Sequence, residues 1–144
     1  MLNYFIELRK GLFMRYEFSD GGRADAGYKG TAGDCAVRAI AIATGRDYKE
    51  VYDGLKAHLG STPRNGVQRK ALGAYLETLG WEWVATKYPG SGTVHLTADE
   101  LPADTTIITR LSRHFAAVIN GTVFDNHDPR RNGTRMVYGY WRAA

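Results

Sequence analysis

One cysteine and four prolines stand among the 144 residues. A lone thiol forms no intramolecular disulfide, so stability must come from an apolar core, and a reducing compartment is expected. No apolar run is long enough to span a bilayer; the longest follows Cys35 and is interrupted by Arg38. The opening MLNYFIELRKGLFM has Glu7, Arg9 and Lys10 where a signal peptide needs an unbroken apolar stretch. These absences predict a cytoplasmic protein with no membrane partner. Repeats, linkers and low-complexity segments are missing too, which leaves a single domain of common size.

What is present suits a packed globule. Hydrophobic residues make up 44% and charged residues 24%, a balance that excludes a disordered or collagen-like chain. Met14 precedes a more ordinary N-terminus, RYEFSDGGRADAG, so residues 1–13 are expected to be an extension and 14–144 the domain proper. The net charge is +4, with Arg130, Arg131, Arg135 and Arg142 gathered late. Such a surplus permits nucleic-acid or acidic partners without requiring them, and a solvated basic face is the plainer expectation.

Residues 19–34, SDGGRADAGYKGTAGD, read as an irregular loop. Cys35 to Thr44 then carries Val37, Ile40 and Ile42 among alanines, and an almost wholly apolar helix belongs in the core. Asp34 is placed to cap it and Gly45 to stop it, which sets Cys35 in the first turn, where free N–H groups favour negative charge. A second helix starts at Asp47, whose spacing to Glu50 is that of a capping box, and ends at Gly60. A third runs from about Val67 to Leu79. Strands follow at 81–87, 105–111, 114–119, 122–126 and 136–141, the 114–119 and 122–126 pair joined by Asn120-Gly121, a strong hairpin signal. Leading helices and a trailing antiparallel sheet define an α+β domain.

A two-residue turn at Asn120-Gly121 would pair Ile119 with Thr122, Ala116 with Asp125 and His114 with His127. Alternation then puts His114, Ala116, Val118, Val123, Asp125 and His127 on one face, with Asp125 diagonal to His114 and Asn126 and Asp128 turned away. A one-residue bulge would instead bring Asp128 opposite His114, so Asn126 and Asp128 are the alternative third members. A buried cysteine alone is most often a small hydrophobe. A cysteine at a helix N-terminus, a strand histidine and a facing carboxylate together supply a nucleophile, a general base and its orienter. A zinc site from Cys35, His114, His127 and Asp128 is the poorer assignment, since no pair has familiar ligand spacing. His58 and His95 read as structural or solvent-facing, and Tyr138, Tyr140 and Trp141 as sheet packing.

The Gly-Asp-Cys helix, the Ser-Arg-His-Phe-Ala-Ala-Val strand and the Val-Phe-Asp-Asn-His-Asp strand, in that order, resemble a minimal papain-like cysteine peptidase. The likeness is to small bacterial and phage members of that superfamily and runs over roughly residues 14–141. It implies a papain-like α+β fold with the nucleophile on a buried central helix. It also implies a Cys35–His114–Asp125 triad acting through an acyl-thioester on a peptide or protein substrate, with no cofactor and no metal. Where these peptidases commonly have an oxyanion-binding glutamine, six residues before the cysteine, this chain has Lys29; Lys29 or Thr31, with the Cys35 backbone N–H, are the candidate oxyanion donors. The rival expectation is a small basic protein that uses Arg130, Arg131 and Arg135 to bind a host protein or nucleic acid.

Overall fold

The computed structural model describes residues 14–30 and 32–144. The expected extension, 1–13, and the oxyanion candidate Thr31 lie outside the described residues. The domain is α+β. Helix α1 (Cys35–Thr44), α2 (Tyr48–Leu59) and α3 (Arg69–Thr78) precede most of a six-stranded sheet. Its strands are β1 (Arg15–Phe18), β2 (Trp81–Ala85), β4 (Thr106–Leu111), β5 (His114–Ile119), β6 (Thr122–Asp125) and β8 (Gly139–Ala143), in the order β1-β6-β5-β4-β8-β2. All neighbours are antiparallel except β1, which runs parallel to β6. A second, two-stranded sheet pairs β3 (Val94–His95) with β7 (Met136–Val137). Among the described residues no helix is long and apolar enough to cross a membrane.

Alternation along the central strands gives the sheet two apolar faces. Ile108, Phe115 and Trp141 pack against Val37, Ile40, Val51, Leu55, Leu72 and Leu76 of the helices. Ile107, Leu111, Ala116, Val118, Val123 and Tyr140 pack on the other side with Met14, Leu96 and Val137. Helix α1 lies in the first of these cores, and its alanines let it approach β5 closely; Ala36, Val37, Ala39, Ile40 and Ala41 are all buried. It stops at Gly45, whose left-handed backbone donates its N–H to Ala41.

Several local expectations needed correcting. Asp34 and Asp47 occupy the N-cap positions of α1 and α2, yet neither side chain caps: Asp34 is drawn into a buried ion cluster, and Glu50 pairs with Arg46 at 2.6 Å instead of closing a capping box. The segment expected as one strand over 136–141 is two strands in two sheets. The break comes at Tyr138, whose N–H bonds the Arg110 carbonyl. Gly139 then passes so close to Trp83 that a Cβ there would lie 2.3 Å from the indole. Strands β1 and β3 were not anticipated, because each depends on a partner distant in sequence and carries little alternation of its own.

Candidate functional site

The hairpin forms with the expected register. Ile119 faces Thr122, Val118 faces Val123 and Ala117 faces Phe124, and Asn120 and Gly121 both have positive φ, as a tight primed turn requires. The shared-face expectation holds only inside the ladder. Ala116, Val118 and Val123 pack in the core away from the helices, whereas His114 and Asp125 reach groups on α1. Both sit beyond the last β5–β6 pair, although His114 still pairs with Leu111 and Asp125 with Phe18 on their other edges.

At that open end His114 Nε2 meets Asp125 Oδ2 at 2.5 Å. Cys35 lines the same cleft as His114, near enough that each shifts the other's pKa, the imidazole lowering the thiol and the thiol raising the imidazole. The carboxylate selects the tautomer and orients the ring. Asp125 is itself held firmly: Oδ1 accepts the Asn126 N–H at 2.8 Å, and its backbone carbonyl accepts Tyr16 Oη at 3.1 Å and the Ser19 N–H at 2.9 Å.

The electrostatics favour a charged pair. Burial raises the Cys35 pKa, but the hydrogen bond and charge of His114, a backbone hydrogen bond from Phe115 and the charge of Arg38 together bring it below the ordinary thiol value. Burial works against the imidazolium as well, yet Asp125 and Cys35 lift His114 to about 9. Burial likewise raises Asp125, and this is outweighed by His114, the Asn126 N–H and His127, so its pKa is lowered. A thiolate–imidazolium pair steadied by a carboxylate is the species these shifts select.

Arg38 is the part of the site that sequence reasoning missed. It stood out only as a charge inside an apolar run. Its guanidinium is buried, ion-paired to Asp34 Oδ1 and 3.5 Å from Asp125 Oδ1, so it ties the N-terminus of α1 to the end of β6. Asp34 in turn accepts Tyr48 Oη at 2.5 Å and Arg23 Nη1 at 2.9 Å. Arg23 also donates to the carbonyls of Lys29 (2.9 Å) and Gly30 (3.3 Å), pinning the loop that leads into Cys35. The i,i+4 spacing of Asp34 and Arg38 was the one available signal, and such pairs also form on solvated helix faces.

A cleft of about 590 Å³ opens beside Cys35 and His114, with Gln68, Arg69, Arg110 and Arg113 in its wall. A parallel bridge between Gly33 and Asn65 brings the start of α3 to this position. Lys29 is not in that wall: it is exposed and lines a separate cleft with Asp34 and Asn126. Lys29 therefore does not line the cleft in which it was expected to meet the oxyanion, and its carbonyl is bonded by Arg23. The Cys35 N–H remains in the first turn of α1, among the N–H groups a helix leaves unpaired, and Gln68 adds a carboxamide donor to the cleft.

The alternative third members are engaged elsewhere. Asn126 Oδ1 lies 2.7 Å from His127 Nδ1, and Asp128 is gripped by Arg130 at 2.8 and 2.9 Å. Under the hydrolase reading proposed below, Asp125→Asn should slow acyl transfer on the order of 10²-fold and Asp128→Ala less than about twofold, within the range for groups that do and do not orient a base. Equal losses in steady-state rates would overturn the assignment of Asp125.

His114, Asp125 and His127 also offer ligand atoms within 4.8 Å of one another. That set is weakly suited to a metal ion, because His114 Nε2 and Asp125 Oδ2 already bond each other and the Arg38 guanidinium repels a cation. The late arginines do not make a free basic face. Arg130 is spent on Asp128 and the Met14 carbonyl, Arg135 is buried against the Ser112 carbonyl, and Arg142 pairs with Glu82. No protein-family model matches the chain, and neither curated proteins nor solved structures gave a match when compared with it.

Proposed function

We propose that the protein is a cysteine hydrolase of papain-like design, cleaving an amide or related acyl bond in a peptide or protein. The observation that carries this is His114, bonded to Asp125 at 2.5 Å and sharing the wall of an open cleft with Cys35. The order of elements agrees: a nucleophile on the first turn of a buried helix, a base on one strand and its orienter on the next.

In the first half-reaction the Cys35 thiolate attacks the carbonyl carbon, forming a C–S bond and a tetrahedral oxyanion. Collapse breaks the C–N bond while the His114 imidazolium gives its proton to the departing amine, leaving a thioester and neutral imidazole. Water then attacks the thioester, His114 takes its proton, and the C–S bond breaks to release the acid and restore the ion pair. Asp125 accepts no proton in this cycle; it holds the ring. The +4 surplus offers the nucleic-acid alternative little, because three of the four late arginines have partners within the fold.

The pH dependence of iodoacetamide alkylation tests the reading. Labelling at Cys35 should have its midpoint below the value of a free cysteine, about 8.5. The sign for catalysis follows from both shifts: the acid limb belongs to formation of the thiolate, and the alkaline limb to loss of the imidazolium proton near pH 9. The two apparent values belong to the pair rather than to either residue. A labelling midpoint at or above the free-thiol value would falsify the nucleophile.

A further inference from the structure

We infer that the cleft beside Cys35 selects acidic peptide segments, with Asp or Glu side chains flanking the reacting carbonyl seated on Arg69, Arg110 and Arg113. This rests on the hydrolase reading above and adds the class of substrate. Three arginines line the cleft that holds Cys35 and His114, and no carboxylate residue does; Arg69 also borders the neighbouring cleft that Trp83 lines. The three come from separate places in the chain: Arg69 from the first turn of α3, Arg110 from β4, and Arg113 from the turn between β4 and β5.

Arg23, Arg38, Arg46, Arg130 and Arg142 each have a carboxylate within ion-pair distance. Among the described residues Arg15, Arg64, Arg69, Arg110, Arg113, Arg131 and Arg135 lack a carboxylate partner, and of these only Arg69, Arg110 and Arg113 line the cleft beside Cys35. Two of these three lie over aromatic rings. The Arg69 guanidinium is 4.7 Å from the centre of the Trp83 ring, and that of Arg110 is 5.5 Å from the centre of Tyr138. Stacking limits side-chain freedom while leaving the N–H edges open to a carboxylate, which is how arginine recognises anions with little ordering cost. Arg113 sits next to His114 at φ 55°, a left-handed conformation that glycine or asparagine adopts more readily in a two-residue turn. The local backbone preference is thus overridden at the residue that carries charge to the mouth of the cleft.

Paired alkylation of the full-length protein reads the potential at the sulfur. Iodoacetate and iodoacetamide form the same S–C bond and expel the same iodide, but only iodoacetate is an anion. Relative to glutathione, the iodoacetate-to-iodoacetamide rate ratio at Cys35 should be raised roughly three- to tenfold at low salt. It should fall toward that of glutathione near about 0.5 M salt, as expected for partly exposed charges. R69Q/R110Q/R113Q should remove most of the enhancement, while R46Q/R142Q, on paired arginines away from the cleft, should keep it. Peptidyl vinyl esters with Asp and Glu around the electrophile should outpace Lys-flanked ones by a similar factor.

Slow iodoacetamide labelling would sink the hydrolase reading and this inference with it. Fast iodoacetamide labelling with a ratio no higher than that of glutathione would overturn the acidic-substrate class alone, and so would an enhancement that survives the triple substitution, since it would then come from His114 and Arg38. Should the triple variant not fold, the salt dependence of the parent ratio and the single variant R113Q decide the same question, and equal rates for acidic and basic probes reject it independently.

Discussion

Cys35→Ala is expected to abolish turnover of a peptide amide or an activated ester, and His114→Ala to lower kcat/KM by about 10²- to 10⁴-fold, the contribution of a positioned acid–base group. Without the thiolate no acyl-enzyme forms. Without the imidazole the thiol loses the hydrogen bond and charge that oppose its burial, so alkylation at neutral pH should slow in the same variant. His127→Ala should retain most activity, since that ring is exposed and 3.9 Å from Asp125, with its own bond to Asn126.

Thermal midpoints separate loss of chemistry from loss of fold. Cys35 is half-buried and small, so its replacement by alanine leaves little space to fill. His114→Ala leaves Asp125 with Arg38 and the Asn126 N–H. Its cost should depend on pH with a definite sign. A histidine whose folded pKa is raised from 6.5 to about 9 contributes stability that is fully present below pH 6.5 and is lost as pH rises through 9. The variant should therefore be most destabilised in mildly acidic buffer and should approach the parent above pH 9. A Cys35→Ala protein that hydrolyses at the parent rate would remove the mechanism altogether.

The second large effect is on stability. Arg38→Met should lower the unfolding free energy by about 3–5 kcal/mol, the usual cost of removing one member of a buried ion cluster. The side chain is only 5% exposed and serves two carboxylates that are themselves buried, at 1% and 3%. Solvent therefore screens little of the loss. Asp34 would keep Tyr48 and Arg23, whereas Asp125 would keep His114 and one backbone N–H. The damage should accordingly reach the catalytic end of the cluster, and the alkylation midpoint of Cys35 should rise along with the loss of stability. Urea unfolding measures the first and the pH–rate profile the second. A change below about 1 kcal/mol with an unaltered midpoint would mean that Arg38 plays no structural part.

The local elements of this protein were legible in its sequence because their causes are local. Gly45 and Gly60 stop helices, an alanine-rich apolar run buries itself, and Asn120-Gly121 sets a hairpin whose register fixes which residues lie near each other at its open end. The nearness of His114 to Asp125 follows from that register. The approach of His114 to Cys35 does not, because it depends on how α1 lies across the sheet. The same is true of Arg38, which has meaning only when Asp34 and Asp125 converge on it from a helix cap and a strand end.

Tertiary structure also divided the arginines. From composition, the late group looked like the surface most available to a partner, yet Arg130 and Arg142 are ion-paired within the fold and Arg135 is buried with one bond to the Ser112 carbonyl. The arginines that line the thiol's cleft are instead Arg69, Arg110 and Arg113, scattered through a helix, a strand and a turn. Sequence determined which residues could ionise, bond and turn; long-range packing decided which charges were neutralised and which were left facing Cys35, because burial and partner distance exist only once distant segments have met.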